Sequence, residues 1–182
     1  VLPQDKKVIF FQKEPDHVMP YRYTGANLHK EFFHTKGDVW MIQTPWISYS
    51  HDELEEMKPP QKEYPVSVVD SGKVTIEGHM HRLQALQEIL DTVPETHFHG
   101  YITRGRENTG PFKEPLPVRA KEKAFLKYKY AVAIENGRTP YYFSEKIIDP
   151  MLCWTIPIYW GCSNISKYFP KGSFIEIKDL KS

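Results

Sequence analysis

Apolar residues arrive in short runs along this chain, and most of the runs are brief enough to be single strands. Lys7-Val8-Ile9-Phe10-Phe11 is one, stopped at Glu14-Pro15, and Asp38 to Gln43 is a second, with a short helix expected over Asn27 to Phe33. Asp52 to Met57 predicts an exposed, acidic turn of helix. Lys58-Pro59-Pro60-Gln61-Lys62 follows, two prolines among charges, which is linker composition. A strand is expected over Pro65 to Asp70 and another over Thr96 to Tyr101. Between them Gly78 to Leu90 is the clearest helix. Met80, Leu83, Leu86 and Ile89 or Leu90 fall at helical spacing, which leaves Arg82, Gln84 and Glu88 off that stripe. Gly105 to Pro117 reads as a loop and Val118 to Lys127 as helix. From Tyr130 the order is strand (to Ile134), helix (Glu145 to Leu152), strand (Ile156 to Tyr159), short helix (Ile165 to Tyr168) and strand (Phe174 to Ile177). Strands alternating with helices predict an α/β fold with an open parallel sheet.

Composition narrows the function classes. The chain has 182 residues, 40% apolar and 14% aromatic, enough for a packed core. Lys and Arg number 24 against 23 Asp and Glu, so no bulk charge points to nucleic acid or to a membrane surface, and any anion site is local. No apolar run approaches the ~18 residues of a membrane span, and no export signal is visible, so a cytoplasmic or membrane-peripheral location is the expectation. Cys153 and Cys162 lie in or beside apolar segments and read as reduced core residues. Among eight histidines, His79/His81 and His97/His99 are paired. Positions i and i+2 share a face on a strand but not on a helix, and no Cys or Asp cluster completes a tetrahedral site. No bound metal is therefore expected; His79 and His81, when protonated, are candidates for phosphate binding.

The most informative stretch lies between Tyr130 and Lys146. An apolar strand ends in a turn with Asn136, Gly137 and Pro140, and Ser144 then stands where a helix N-cap belongs, followed by Glu145 and Lys146. Helix N-termini leave backbone N–H groups unpaired and favour anions. A lysine in the first turn has the wrong charge for the helix dipole, so Lys146 is read as answering an anionic ligand, the alternative being a solvated surface lysine.

Glu135-Asn136, then Tyr142-Phe143-Ser144-Glu145-Lys146-Ile147-Ile148-Asp149, then Thr155-Ile156-Pro157-Ile158-Tyr159-Trp160-Gly161 resembles the C-terminal domain of the α1,3/4-fucosyltransferases, glycosyltransferase family 10. Phe169-Pro170-Lys171-Gly172-Ser173-Phe174-Ile175 continues the likeness. The resemblance implies a GT-B fold, two Rossmann-like halves with parallel sheets facing a cleft, here shortened at both ends. Residues 1–58 would be part of the acceptor-side half, 59–64 the linker and 65–182 the donor-binding half. It implies inverting transfer of fucose from GDP-fucose to a hydroxyl of an acceptor glycan, with no metal cofactor. A catalytically silent nucleotide-sugar-binding fragment, the same fold with another nucleotide-sugar, and a zinc-dependent hydrolase built on the histidines are the alternatives.

The same resemblance implies roles for individual residues. Glu14, at the end of an apolar strand, would be the general base that takes the acceptor proton, its plain alternative being an exposed strand-end carboxylate. Arg82 and Lys146 would neutralise the diphosphate, Glu145 would bind ribose hydroxyls, and Asn136 and Tyr142 would add donor contacts. Read without the resemblance, Arg82 is a solvated helix residue, Asn136 a turn residue and Tyr142 a half-buried aromatic. Two positions depart from the family pattern: Gly137 stands where Ser or Thr is usual, and Pro150 where a small residue is usual. Proline inside a helix costs about 3 kcal/mol, so a kink or break near Ile147 is expected.

Overall fold

A computed structural model describes residues 45–74, 77–100, 108–111, 113–117 and 119–180. Glu14, the strands expected at 7–11 and 38–43 and the helix expected at 27–33 lie outside the described residues. Among those described, five strands form one parallel sheet: β1 (Tyr64–Asp70), β2 (Thr96–Gly100), β3 (Tyr128–Ile134), β4 (Ile156–Trp160) and β5 (Ile175–Glu176), in spatial order β2-β1-β3-β4-β5. The expected α/β class with a parallel sheet is what the chain adopts. Strand β3 lies at the centre, paired through Val66↔Tyr130 and Val68↔Val132 on one side and Val132↔Ile158 on the other. A central parallel strand is covered on both faces, which is why Ala131-Val132-Ala133-Ile134 is apolar without alternation.

The connections run in opposite directions from the centre. Strand β1 leads through α2 (Glu77–Thr92) outward to β2, whereas β3 leads through α3 (Glu145–Leu152) outward to β4. Right-handed crossovers in opposite directions put the two helices on opposite faces, and the packing agrees. Ala85 and Leu86 of α2 pack with Val68, Phe98, Val132 and Ile134. Ile147 of α3 packs with Ala133, Phe143, Tyr159, Cys162 and Ile165 on the other side. Each fully buried Leu, Ile or Phe contributes about 1.5–3 kcal/mol. A third cluster joins Ile47 and Phe125 to Ala131 and Cys153, with Leu54 packed against it, so the segment 45–56 shares this core. Within that segment the short helix α1 (His51–Glu56) starts at a capping box: Ser50 accepts from the Glu53 N–H, and Glu53 from the Ser50 N–H at 2.7 Å.

Three local expectations are corrected. The inward face of α2 carries His79, Arg82, Ala85 and Leu86, while Met80 is 47% exposed. Arg82 is therefore on the buried face rather than off it, because an ion pair, invisible to an apolar stripe, holds it inside. Helix α3 runs unbroken past Ile147 to Leu152 with Pro150 inside it. Pro150 is near the C-terminal end, so it removes a single N–H, the one directed at the Lys146 carbonyl, and its ring is fully buried. The helix expected over Val118 to Lys127 is, in its described part, only a 3-10 turn at Lys121–Ala124, entered from Arg119 at φ 58°. Cys153 and Cys162 are free and buried, as expected. Among the described residues no helix is long and apolar enough to cross a membrane.

Candidate functional site

Where the strand order reverses between β1 and β3, the loops leaving their carboxyl ends part and open a crevice, the usual ligand position in open α/β sheets. Asp70 ends β1 there. Arg82, on the inner face of α2, reaches back to it, with Nη2 2.7 Å from Oδ1, and donates through Nη1 to Asn136 Oδ1 just beyond β3. Both side chains of the Arg82–Asp70 pair are nearly fully buried. Their approach depends on Gly78: a Cβ built there would lie 1.8 Å from the Asn136 carbonyl oxygen.

On the opposite face, Glu135 is completely buried and organises the start of α3. Its carboxylate accepts from the Ser144 N–H at 2.7 Å and from the Ser144 hydroxyl, and its Oε2 lies 3.2 Å from Lys146 Nζ. Ser144 is the N-cap, accepting the Lys146 N–H at 3.3 Å. The wrong-sign charge of Lys146 at a helix start is thus answered inside the protein by Glu135, which corrects the expectation that a ligand alone accounts for it. Burial by itself would lower the Lys146 pKa, but the carboxylates of Glu135 and Glu145 outweigh it and hold the ammonium above its ordinary value. Gly161 leaves room for this carboxylate, since a Cβ there would sit 2.4 Å from Glu135 Cγ.

A second buried network lies beneath the first turn of α3. Lys121 Nζ is 3.0 Å from Glu145 Oε1 and 3.2 Å from Asp149 Oδ2, and Asp149 Oδ1 accepts the Trp46 N–H at 3.0 Å. Burial pushes the Asp149 carboxyl up to about 6, against the pull of Lys121 and the Trp46 N–H. Burial would raise Glu145 as well, but Lys146 and Lys121 beside it keep it below its usual value. Arg82, Lys121 and Lys146 together line a cavity of about 20 Å³ whose other walls include Val69, Phe125 and Ile134. That volume suits a single water; anything larger must sit at its mouth.

The sequence-derived residues therefore divide. Arg82 and Asn136 touch, Lys146 lines the same cavity as Arg82, and Glu145 stands at the first position of α3. Tyr142 is buried in the turn from β3 to α3, next to Tyr141 at φ 65°. Glu14 lies outside the described residues. His79 does not fit a phosphate-binding role: burial, then the Arg82 charge, lower its pKa to about 4, so it is neutral at pH 7. His81 is exposed, 3.9 Å from Glu77. His97 Nδ1 and His99 Nε2 both lie 2.9 Å from the Tyr128 hydroxyl, the face-sharing expected of a strand but spent on a phenol. Among the described residues no three His, Cys, Asp or Glu side chains gather as a metal site.

Asp70 and Lys121 were not singled out from the sequence, and Glu135 and Asp149 stand in the family-like motif but were given no role. Asp70 carries the signal that nominated Glu14, a carboxylate ending an apolar strand. Nothing local separates Lys121 from its neighbours Lys123, Lys127 and Lys129.

The family model described as glycosyltransferase family 10 (fucosyltransferase), C-terminal, matches residues 62–182. An alpha-(1,3)-fucosyltransferase of Helicobacter pylori is 38% identical over 65 residues, which is 36% of this chain and 14% of that protein. A 3-galactosyl-N-acetylglucosaminide 4-alpha-L-fucosyltransferase of Bos taurus is 34% identical over 76 residues, covering 40% of this chain and 21% of that one. Among solved structures, an alpha1,3-fucosyltransferase crystallised with GDP superposes with a TM-score of 0.51 at 26% identity, over 72% of this chain and 36% of that one. The matched part of this chain thus spans well under half the length of each of these relatives.

Proposed function

Because the chain belongs to glycosyltransferase family 10, the fucosyltransferases, we propose that residues 65–182 hold the GDP-fucose donor for transfer to a hydroxyl of an acceptor glycan. In this reading they are the donor half of a GT-B pair. The observation that carries it is the placing of Arg82 and Lys146: they come from opposite faces of the sheet, line one cavity at the reversal of strand order, and are each held by a buried carboxylate. Two fixed cations at a helix N-terminus suit a departing diphosphate, whose charge grows as the sugar–oxygen bond breaks. They take the part that a divalent ion plays elsewhere, so transfer proceeds without a metal. That a structural neighbour was crystallised with GDP supports the same ligand class.

Inversion requires a base on the acceptor side, and Glu14 is assigned that role. Its substitution by Gln lowers transfer by about 10²–10⁴-fold and leaves donor affinity unchanged, because the donor contacts lie on Arg82, Asn136, Tyr142, Glu145 and Lys146. Calorimetry of the chain with GDP, GDP-fucose and UDP tests the donor assignment. Saturable binding of GDP and GDP-fucose, with UDP weaker, is expected; no heat with GDP overturns it. A transfer assay with GDP-fucose then separates a working enzyme from a silent binder.

A further inference from the structure

Of the three cations lining the cavity, Lys121 has no part in the reading above. Its ammonium is nevertheless firmly placed. The backbone N–H of Lys121 donates to the Trp46 carbonyl at 3.0 Å, the Trp46 ring lies 5.4 Å from Nζ, and the side chain is 8% exposed. From that position Nζ reaches Glu145 Oε1 at 3.0 Å and Asp149 Oδ2 at 3.2 Å. Glu145 needs such a partner. It is the first residue of α3, next to Lys146, and a freely rotating carboxylate there could fold onto the neighbouring ammonium. With one oxygen tied to a buried lysine, its rotation is fixed and its remaining acceptor capacity points one way.

We infer that Lys121 is a positioning residue for Glu145, holding that carboxylate so that it accepts the vicinal hydroxyls of a nucleotide's ribose. The inference rests on the donor reading of Glu145. A cis-diol offers two donors at fixed separation, and a two-lobed acceptor takes both only when its plane is set in advance. Lys121 sets the plane from beneath and does not itself touch the nucleotide.

The test compares GDP with 2′,3′-dideoxyguanosine diphosphate, each titrated into the full 182-residue chain. The unaltered chain prefers GDP by roughly ten- to a hundredfold, the worth of a hydrogen bond to a charged group. Lys121→Met brings this ratio close to one while affinity for the dideoxy analogue stays near its original value. Lys121→Arg retains most of the preference, and Asp149→Asn, which removes the other partner of the lysine, leaves it unchanged. If Lys121→Met does not fold, the pair Lys121→Met/Asp149→Asn strands one carboxylate fewer, and its ratio is read against Asp149→Asn alone. An undiminished ratio without Lys121 overturns the inference and leaves the donor reading standing. Equal affinity of the unaltered chain for both ligands removes Glu145 from the ribose site and the inference with it, and binding of neither overturns the donor reading altogether.

Discussion

The two ends of the sheet solve the same problem, a lysine drawn in from solvent, in opposite ways. At the amino ends of β1, β3 and β4, Lys62 Nζ donates to the carbonyls of Leu126 and Cys153 at 2.9 and 3.0 Å and to Thr155 Oγ1 at 3.0 Å. All three acceptors are neutral, so burial prevails and the Lys62 pKa falls. At the carboxyl ends, Lys146 faces the charge of Glu135, and its pKa rises. The first arrangement is a seam: main-chain oxygens are fixed by the fold, and no ligand can stand in for them. The second is a set of charged pairs along a cavity, where the cations can face a ligand anion while keeping their own carboxylates. Burial is common to both ends; the chemistry of the acceptors distinguishes the site.

The strongest way to break this contrast is Gly78→Ala. With its Cβ 1.8 Å from a backbone oxygen, the new methyl must displace the start of α2 and pull Arg82 from Asn136. A loss of about 3 kcal/mol or more in urea-melt stability is expected, together with loss of GDP binding. Lys146→Ala comes next. GDP affinity falls by about 1.5–3 kcal/mol, and the melting temperature falls too, because Glu135 keeps its burial and loses its cation. GDP affinity unchanged in that variant removes Lys146 from the donor site. Lys62→Met sharpens the comparison from the other end: it leaves acceptors unpaired and costs about 1–3 kcal/mol of stability, with GDP affinity as in the parent. A change in affinity there would mean that the seam and the site are coupled.

The smallest effect is that of pH. His79 and His99 are pushed down from 6.5 to about 4, in both cases chiefly by burial. Groups with depressed pKa values add stability above pH 6.5 that disappears as the pH falls toward 4, since the unfolded chain takes up the protons first. Asp149, raised from 3.8 to about 6, works in the other direction, gaining as pH falls through 6. The two directions partly cancel, leaving a net loss of stability between pH 7 and pH 4. Denaturation midpoints across that range measure it, and Asp149→Asn should steepen the decline.

The strands were legible because a sheet covered on both faces writes its buried residues as uninterrupted apolar runs, as at Ala131 to Ile134. The start of α3 was legible because a cap is a local matter, settled by Ser144 and the residues next to it. The orientation of α2 was not, since the residue that turns it inward is charged and its partner, Asp70, belongs to another element. Lys121 and Glu145 are 24 residues apart, and neither has a local pattern that announces the other. Family resemblance reached further than periodicity: the likeness read from Glu135 to Ile175 falls within residues 62–182, where the family model matches. Yet it gave roles only to residues that would face a donor and none to those behind them, Glu135, Asp70 and Lys121, whose part is geometric.

The two cysteines make the molecule its own gauge. Cys153 is sealed in the cluster that includes Ile47 and Phe125, with its thiol pushed up to about 12, and Cys162 in the cluster around Phe143 and Tyr159, with its thiol also raised. Neither offers a thiolate to a reagent while its cluster stays shut. The rate at which each sulfur is alkylated therefore records how often its own cluster opens, the Cys153 clock timing the layer that grips residues 45–56 and the Cys162 clock the layer under α3. A donor that tightens the start of α3 would slow the second clock more than the first.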